Sequence, residues 1–406
     1  MGEIVLLRFT GEDRPGLTAK VTGVLADHGV EVLDMNQAVI HSSLLLGLMV
    51  MLPGDGREKG ALKDVLYAAH ELELTLRMRP IAEGEYEAWV GRQGKARFIL
   101  TVLGRRMSAK MMSAVTGVVT EQGMNIDVIH RLSGRKKLLD FDKHKDTRAC
   151  VEFWVRGEPD DLMAMEREFL RLSHELDMDI AWQRDNVFRR SRRLVAFDMD
   201  STLIQHEVID ELAIEAGVGE KVSAVTEAAM RGEIDFNESL IQRVKCLEGL
   251  EVSCMQKIAE RLVLTEGAER LMSNLKKYGY KTAILSGGFT FFGRFLQDKL
   301  GMDYVSANEL EEKGGKLTGC VKGEIVNAER KAELLHEIAK SEGINMQQVI
   351  AVGDGANDLQ MLAAAGLGIA FHAKPLVREK AEHRMSTMGL DGILYLMGMR
   401  DREVEV

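Results

Sequence analysis

The 406 residues allow about two to three domains at roughly 150 residues each, so a single small module is excluded. A formal charge of -10, from 53 Lys+Arg against 63 Asp+Glu, argues against nucleic acid and anionic membrane as partners. With 46% hydrophobic residues and only 5 Pro, the chain has the means to bury real cores and is expected to be globular almost throughout. Its longest apolar stretch, residues 44–52, is far short of the roughly 20 residues a membrane helix needs. The N-terminus, with Glu3 and Arg8 inside its apolar run, reads as mature and unlipidated. Cys150, Cys246, Cys254 and Cys320 are spaced for neither a zinc site nor a disulfide scaffold, and are expected as free buried thiols in a reducing cytoplasm.

An internal repeat organises the first half. Val21-Thr22-Gly23-Val24 recurs as Val115-Thr116-Gly117-Val118, and the same offset carries Gly29 onto Gly123 and Val32 onto Ile126. A larger offset carries His70-Glu71-Leu72 onto His174-Glu175-Leu176, which places a longer loop in the second copy, near residues 133–148. Each copy opens with an apolar strand (4–9; 98–103), followed by a helix that Gly29 or Gly123 ends, glycine being suited to a left-handed closing residue. A strand pair (30–41 and 45–52; 125–132 and 149–156), a second helix (61–72; 161–176) and a last strand (74–81; 179–184) complete the pattern. The order is βαββαβ, with helices on one face of the sheet.

This order, with Asp13-Arg14-Pro15-Gly16 at the first strand-to-helix turn, resembles the ACT domain, a family of small amino-acid-sensing modules, over residues 1–83 and 96–184. Gly16 lets the backbone approach a ligand at a helix N-terminus, where unpaired N–H groups favour a carboxylate. The second copy reads Arg105-Arg106-Met107-Ser108 at that turn, which leaves ligand binding there open; the alternative is that both copies are dimerising scaffold. The basic run Arg189-Arg190-Ser191-Arg192-Arg193 follows, and in an acidic chain it reads as a solvated interdomain linker.

From residue 194 short β runs (194–197, 281–285, 349–352, 367–370) alternate with helical patterns (267–278, 328–341, 358–365). Such alternation implies a Rossmann-like parallel sheet with ligands beyond the carboxyl ends of its strands. The polar residues at those ends are Asp198-Met199-Asp200-Ser201-Thr202, Ser286-Gly287-Gly288 and Gly353-Asp354-Gly355-Ala356-Asn357-Asp358, with Lys331 at a helix start. In this order they resemble the haloacid dehalogenase superfamily of phosphohydrolases over residues 185–406. That resemblance implies Asp198 as a nucleophile that forms an aspartyl phosphate and Asp200 as general acid and base. It also implies Mg²⁺ on Asp198, the Asp200 carbonyl and Asp354. Ser286, Gly287 and Lys331 would cradle the phosphoryl oxygens, while Asn357 and Asp358 orient the site.

About eighty residues separate the first two motifs, more than one crossover helix uses, and residues 209–264 read as an inserted helical cap. With Glu207, Asp210-Glu211-Leu212-Ala213, Phe236 and Ser239-Leu240-Ile241-Gln242-Arg243-Val244, the chain is similar to the phosphoserine phosphatase family within that superfamily. The similarity implies O-phosphoserine as substrate, Arg243 on its carboxylate, Glu207 on its ammonium and Phe236 as a shield from water. A phosphotransferase or an amino-acid sensor with an inert phosphatase domain are the alternatives. Around residues 313–326 a glycine-bearing hairpin is expected beside the site. Serine is the regulatory ligand expected at Asp13, Gly16 and Asn36, in a homodimer paired through exposed sheet edges. Residues 185–406 are expected to stay folded without residues 1–184.

Overall fold

The computed structural model describes residues 2–54, 56–91, 94, 96–135 and 148–405; most of the longer loop expected near residues 133–148 falls outside them. The chain forms two compact units, residues 1–95 and 96–406. Among the described residues no helix is long and apolar enough to cross a membrane.

In the first unit β1 (Ile4–Glu12), α1 (Leu17–Asp27), β2 (Glu31–Ile40), β3 (Ser43–Met51), α2 (Glu58–Glu71) and β4 (Thr75–Ile81) follow in the expected βαββαβ order. They make an antiparallel sheet β2-β3-β1-β4. Period two sets its core: Val5, Leu7 and Phe9 of β1 alternate with more exposed residues, and Leu44, Leu46, Leu48 and Val50 of β3 do the same. Leu17, Val21 and Leu25 of α1 and Ala61, Val65 and Ala69 of α2 recur at helical spacing over that face. Gly29, at φ 67°, closes α1. The edge strand β2 is left uncovered, with Val32, Met35, Val39 and Ile40 exposed. A further helix, α3 (Glu83–Gly91), buries none of its residues; no sequence pattern announces it.

The second unit opens on the same plan: β5 (Arg97–Gly104), α4 (Ala109–Glu121), β6 (Asn125–Arg131), β7 (Ala149–Arg156), α5 (Leu162–Leu176) and β8 (Asp179–Arg184), in the sheet order β6-β7-β5-β8. After α6 (Val187–Arg190) come β9 (Leu194–Phe197) and four helices, α7 (Val208–Glu215), α8 (Gly219–Met230), α9 (Phe236–Lys245) and α10 (Ser253–Arg261). Next are α11 (Ala268–Lys277), β10 (Lys281–Phe289), α12 (Thr290–Leu300), β11 (Tyr304–Lys313), β12 (Lys316–Lys322), α13 (Ala328–Ser341), β13 (Val349–Gly353) and α14 (Leu359–Ala364). The last elements are β14 (Leu367–Phe371), α15 (Pro375–Lys380), β15 (His383–Met385) and α16 (Ile393–Leu396). The seven-stranded sheet runs β12-β11-β10-β9-β13-β14-β15, parallel except for the β11–β12 hairpin. The architecture is α/β, with two ACT-type units followed by a Rossmann-like domain bearing a helical cap. All four residues of β9 are buried, as an unalternating apolar run requires of a strand covered on both faces.

The second repeat and the Rossmann-like domain share one core. Leu103, Leu132, Cys150 and Ala181 of the repeat belong to the same apolar cluster as Val195, Phe197 and Tyr395. Polar groups close the seam: Asp179 accepts from the N–H of Ser386 (2.8 Å) and Thr387 (2.9 Å), and the Gln183 amide donates to the Leu396 carbonyl (3.1 Å). Arg105 forms two hydrogen bonds with Glu266, at 2.7 and 2.6 Å. This shared core argues against the expectation that residues 185–406 stand alone, because removing the repeat would uncover apolar surface.

The reading of residues 189–193 as a solvated linker is corrected as well. Asn186 caps α6, Arg189 is 7% exposed and pairs with Glu152 of β7 at 2.5 Å. Arg192, also buried, donates to the Gln347 carbonyl (2.7 Å). Arg189 and Arg192 are drawn inward because buried acceptors on both sides of the seam need cationic donors, while Arg190 and Arg193 stay exposed as expected. Cys150 and Cys254 are buried free thiols as expected, but Cys246 is half-buried and Cys320, on the edge strand β12, is exposed.

Candidate active site

The polar groups at the carboxyl ends of β9, β10 and β13 face the cap across a cavity of about 820 Å³. Entry to and exit from the cap are pinned together by an Ile204–Leu264 bridge and by bonds from Gln205 N–H to Val263 O and from Thr265 N–H to Leu203 O. The β11–β12 hairpin supports the cap from beside the site, through bonds from Gly249 N–H to Leu317 O and from Val252 N–H to Gly315 O.

After β9 the chain stays extended at Asp198 (φ -67°, ψ 163°) and Asp200 (φ -67°, ψ 136°), then turns left-handed at Ser201 (φ 55°, ψ 3°). Asp198 Oδ1 accepts from Met199 N–H and from Lys331 Nζ, both at 2.8 Å, and its Oδ2 has no partner among the described residues. Asp200 Oδ1 accepts from Val208 N–H at 3.0 Å and so caps α7. Fully buried Lys331, from the first turn of α13, reaches Asp358 Oδ1 at 2.7 Å, while Asp358 Oδ2 accepts from Gly355 N–H at 2.9 Å.

Strand β10 runs on through Ser286-Gly287-Gly288 to Phe289, farther than the sequence pattern indicates, and its register with β11 breaks between Leu285 and Phe289. Ser286 Oγ accepts from Gly288 N–H (2.9 Å). Neither neighbour has room for a Cβ unless a site side chain shifts. A Cβ on Gly288 would lie 2.4 Å from Asp200 Oδ2, and one on Gly287 2.9 Å from the Phe236 ring of α9. The aromatic ring therefore sits on the glycine segment. Asn308, buried in β11, holds that segment by donating to Gly287 O (2.8 Å) while accepting from Val326 N–H.

Asp198 and Asp358 hold the buried Lys331 ammonium between them, and Asp200 and Asp354 each lie close enough to Asp198 to feel its charge. Burial, then the carboxylates of Glu207 and Asp198, holds Asp200 well above the usual range. Asp354 is pushed up to about 7 by burial and next by Asp198 and Asp358, and Asp358 is raised by burial and Asp198. Burial alone would lower the Lys331 pKa, but Asp198 and Asp358 outweigh it and hold the ammonium above its ordinary value. Ligand oxygens of Asp198, Asp354 and Asp358 lie within 4.8 Å of one another. An all-oxygen, acid-rich donor set of this kind fits a hard divalent cation. Since both Asp358 oxygens are engaged, Asp354 and the free oxygen of Asp198 are the side-chain donors left for it.

On the cap side Glu207, at the start of α7, and Arg243 of α9 line the same cavity, as does Asn357. Arg243 Nε donates to Ser239 O (3.3 Å). Burial lowers its pKa, against the opposing pull of Glu207, Asp210 and Asp200. Every sequence-predicted residue of the phosphatase site is thus at this cavity or bonded to a group that is. The sequence reading quoted Ser201 and Asp210 within motifs without giving either a role, and did not single out Asn308 or Lys374. Lys374 Nζ lies 3.8 Å from Asp354 Oδ2, and its N–H donates to Asp354 O. Its place just past β14 was a usable signal, whereas Asn308 inside a strand offered none.

Asp13, Gly16 and Asn36 belong to the first unit. Gly16 (φ 88°) begins α1 with nothing within 4 Å of the position its Cβ would take. Asp13 N–H donates to Ser42 O, and Asn36 lies on exposed β2. Thr18 in the first turn of α1 donates to Gln37 Oε1 (2.6 Å), which brings that turn to the strand carrying Asn36. In the second repeat Ser108 caps α4 by accepting from Met111 N–H, and Arg105 of the same turn is spent on Glu266.

Residues 192–366 match the haloacid dehalogenase-like hydrolase family and residues 3–79 the ACT domain. A phosphoserine phosphatase of Streptomyces coelicolor is 41% identical over 99% of this chain and 93% of its own length. One of Mycobacterium tuberculosis is 40% identical over 99% and 94%. A haloacid dehalogenase family hydrolase of Salmonella enterica serovar Typhi superposes with a TM-score of 0.63 at 29% identity, over 74% of this chain and 98% of that one. An unliganded probable phosphoserine phosphatase of Vibrio cholerae gives 0.58 at 34%, over 76% and 87%. With two relatives alike over nearly their full length, and with the site geometry above, this chain belongs to the phosphoserine phosphatase family of haloacid dehalogenase-like hydrolases.

Proposed function

We infer that the protein hydrolyses O-phosphoserine to serine and phosphate through an aspartyl phosphate, with Mg²⁺ as its metal. One observation carries this reading: Asp198 with Lys331, Asp200 and Asp354 on the sheet side meet Glu207, Phe236 and Arg243 on the cap side of a single cavity. One oxygen of the Asp198 carboxylate attacks phosphorus, the ester P–O bond breaks, and the seryl oxygen leaves with the proton of Asp200. Water then attacks phosphorus, gives a proton to Asp200, and releases phosphate and the free Asp198 carboxylate. Mg²⁺, held by Asp198, Asp354 and the Asp200 carbonyl, supplies positive charge against the phosphate dianion. Ser286, Gly287 N–H and Lys331 cradle the phosphoryl oxygens, Asp358 holds Lys331, and Asn357 orients the group. Arg243 takes the substrate carboxylate, Glu207 its ammonium, and Phe236 over Gly287 excludes water.

In this reading residues 1–83 and 96–184 are ACT-like domains and residues 185–406 the phosphatase domain, its cap about 209–264. The enzyme is a cytoplasmic homodimer, regulated by serine at Asp13, Gly16 and Asn36 of the first domain. A coupling of roughly 1 to 3 kcal/mol would be typical of such a link. The decisive experiment is phosphate release from O-phosphoserine without an added acceptor alcohol, which a phosphotransferase would require and an inert sensor would not perform. Asp198→Asn is expected to abolish turnover and the acid-labile phosphoenzyme; residual activity within about tenfold of the parent would overturn the nucleophile assignment.

A further inference from the structure

Ser201 is the non-glycine residue that breaks the chain between the two catalytic aspartates and the cap. Its φ of 55° is a conformation L-residues avoid and glycine accepts. A hydroxyl residue in such a strained position calls for a reason. Its Oγ donates to Glu207 Oε1 at 2.9 Å, and its N–H reaches back to His206 O at 3.4 Å. Glu207 stands at the N-cap position of α7, where a carboxylate would ordinarily accept from its own helix. It makes no such bond: Asp200 Oδ1 takes the Val208 N–H instead. The left-handed turn therefore aims a donor at one Glu207 oxygen and leaves the other without a hydrogen-bond partner among the described residues, while Glu207, and not Ser201, lines the cavity.

The geometry points to Ser201 as a positioning residue that fixes the Glu207 carboxylate for the ammonium group of the substrate. This rests on the function proposed above. Ser201 ties amino-group recognition to the same short loop that carries Asp198 and Asp200, so specificity and chemistry are aligned by one turn of chain. It touches neither the phosphoryl group nor the ammonium.

The test compares O-phosphoserine with 2-phosphoglycolate, which keeps the carboxylate and lacks the ammonium. Ser201→Gly removes the hydroxyl while easing the left-handed backbone, so the fold is retained. KM for O-phosphoserine should rise about tenfold with kcat nearly unchanged, while kcat/KM for 2-phosphoglycolate stays within about twofold. Ser201→Asn, which tolerates the same φ and offers an N–H donor, should restore much of the loss. In a Glu207→Gln background the Ser201→Gly change should add little, since nothing remains to be positioned. Equal losses on both substrates, or full additivity with Glu207→Gln, would overturn the inference in favour of a role in shaping the loop. A parent enzyme with no preference for O-phosphoserine over 2-phosphoglycolate would instead refute the proposed substrate, whereas a parent preference left intact by Ser201→Gly would refute Ser201 alone.

Discussion

The two repeats share a topology and differ in what they do with their sheets. In β1 residues alternate between buried and accessible, with Arg8 on the outer face; in β5 every residue from Phe98 to Gly104 is buried. One face of β5, through Leu100 and Val102, packs on its own helices, and Leu103 on the other joins the phosphatase core. The turn before the first helix diverges in parallel. Gly16 stays open in the first repeat, while in the second Ser108 caps its helix and Arg105 binds Glu266. One fold therefore serves as an open module in one copy and as a wall of the phosphatase domain in the other, which argues that any ligand response belongs to the first copy.

Truncation tests this comparison with the largest expected effect. Removal of residues 1–95 should leave a soluble enzyme with kcat/KM within about threefold of the parent, because the second unit has its own core. Removal of residues 1–184 should give aggregated or inactive protein, since it strips the cover from one side of the shared core. A soluble, fully active 185–406 fragment would reduce the seam to a docking surface.

Breaking the seam from within comes next. The Arg189–Glu152 pair is buried on both sides, and Glu152→Ala strands a guanidinium out of water, at a cost of about 3 to 5 kcal/mol by denaturant unfolding. Replacing both members with methionine should recover most of that loss, because burying charge is what makes the half-broken pair so costly. An outer-face change in the first repeat, Arg8→Met at an exposed position of β1, should fall within about 0.5 kcal/mol. Similar losses in the two repeats would erase the distinction drawn between them.

The seam also carries a pH dependence. His383 of β15, beside β8, is held down at about 4 by burial first, with Arg192 and Arg384 adding to it. Above pH about 6.5 it is neutral in both folded and unfolded chains and contributes no slope. Between about 6.5 and 4 the unfolded chain takes up a proton that the native protein refuses, so stability falls as pH falls, by roughly 3 kcal/mol at most. His383→Gln should flatten the stability profile in that window; an unchanged slope would place the acid sensitivity elsewhere. A smaller loss than at the seam is expected at Gly16→Val, where only the backbone at φ 88° resists, costing about 1 to 2 kcal/mol in the first unit. On the proposed regulation, non-competitive inhibition by serine should vanish while kcat stays unchanged.

Much of this was legible in the sequence because it is local or periodic. Period-two and helical spacing placed the strands and helices, and Gly29 and Gly123 marked helix ends that fall at φ 67° and 66°. The strand-end rule brought Asp198, Ser286 and Asp354 together, since parallel strands deliver their carboxyl ends to one edge, and Lys331 joined them from a helix start. Even the seam left a trace: the outer face of β5 reads Ile99, Thr101, Leu103, against Leu6, Arg8, Thr10 in β1. Tertiary structure alone decided what depends on a distant partner. The basic run 189–193 looks solvated until Glu152 and the Gln347 carbonyl, far away in sequence, appear beside it. Asn308 gains its role from the Gly287 carbonyl on a neighbouring strand, and Ser201 from a left-handed turn that no residue preference announces. Sequence determines the elements and their chemistry through short-range sterics and solvation; which surfaces become interiors is settled only when separate elements bury one another.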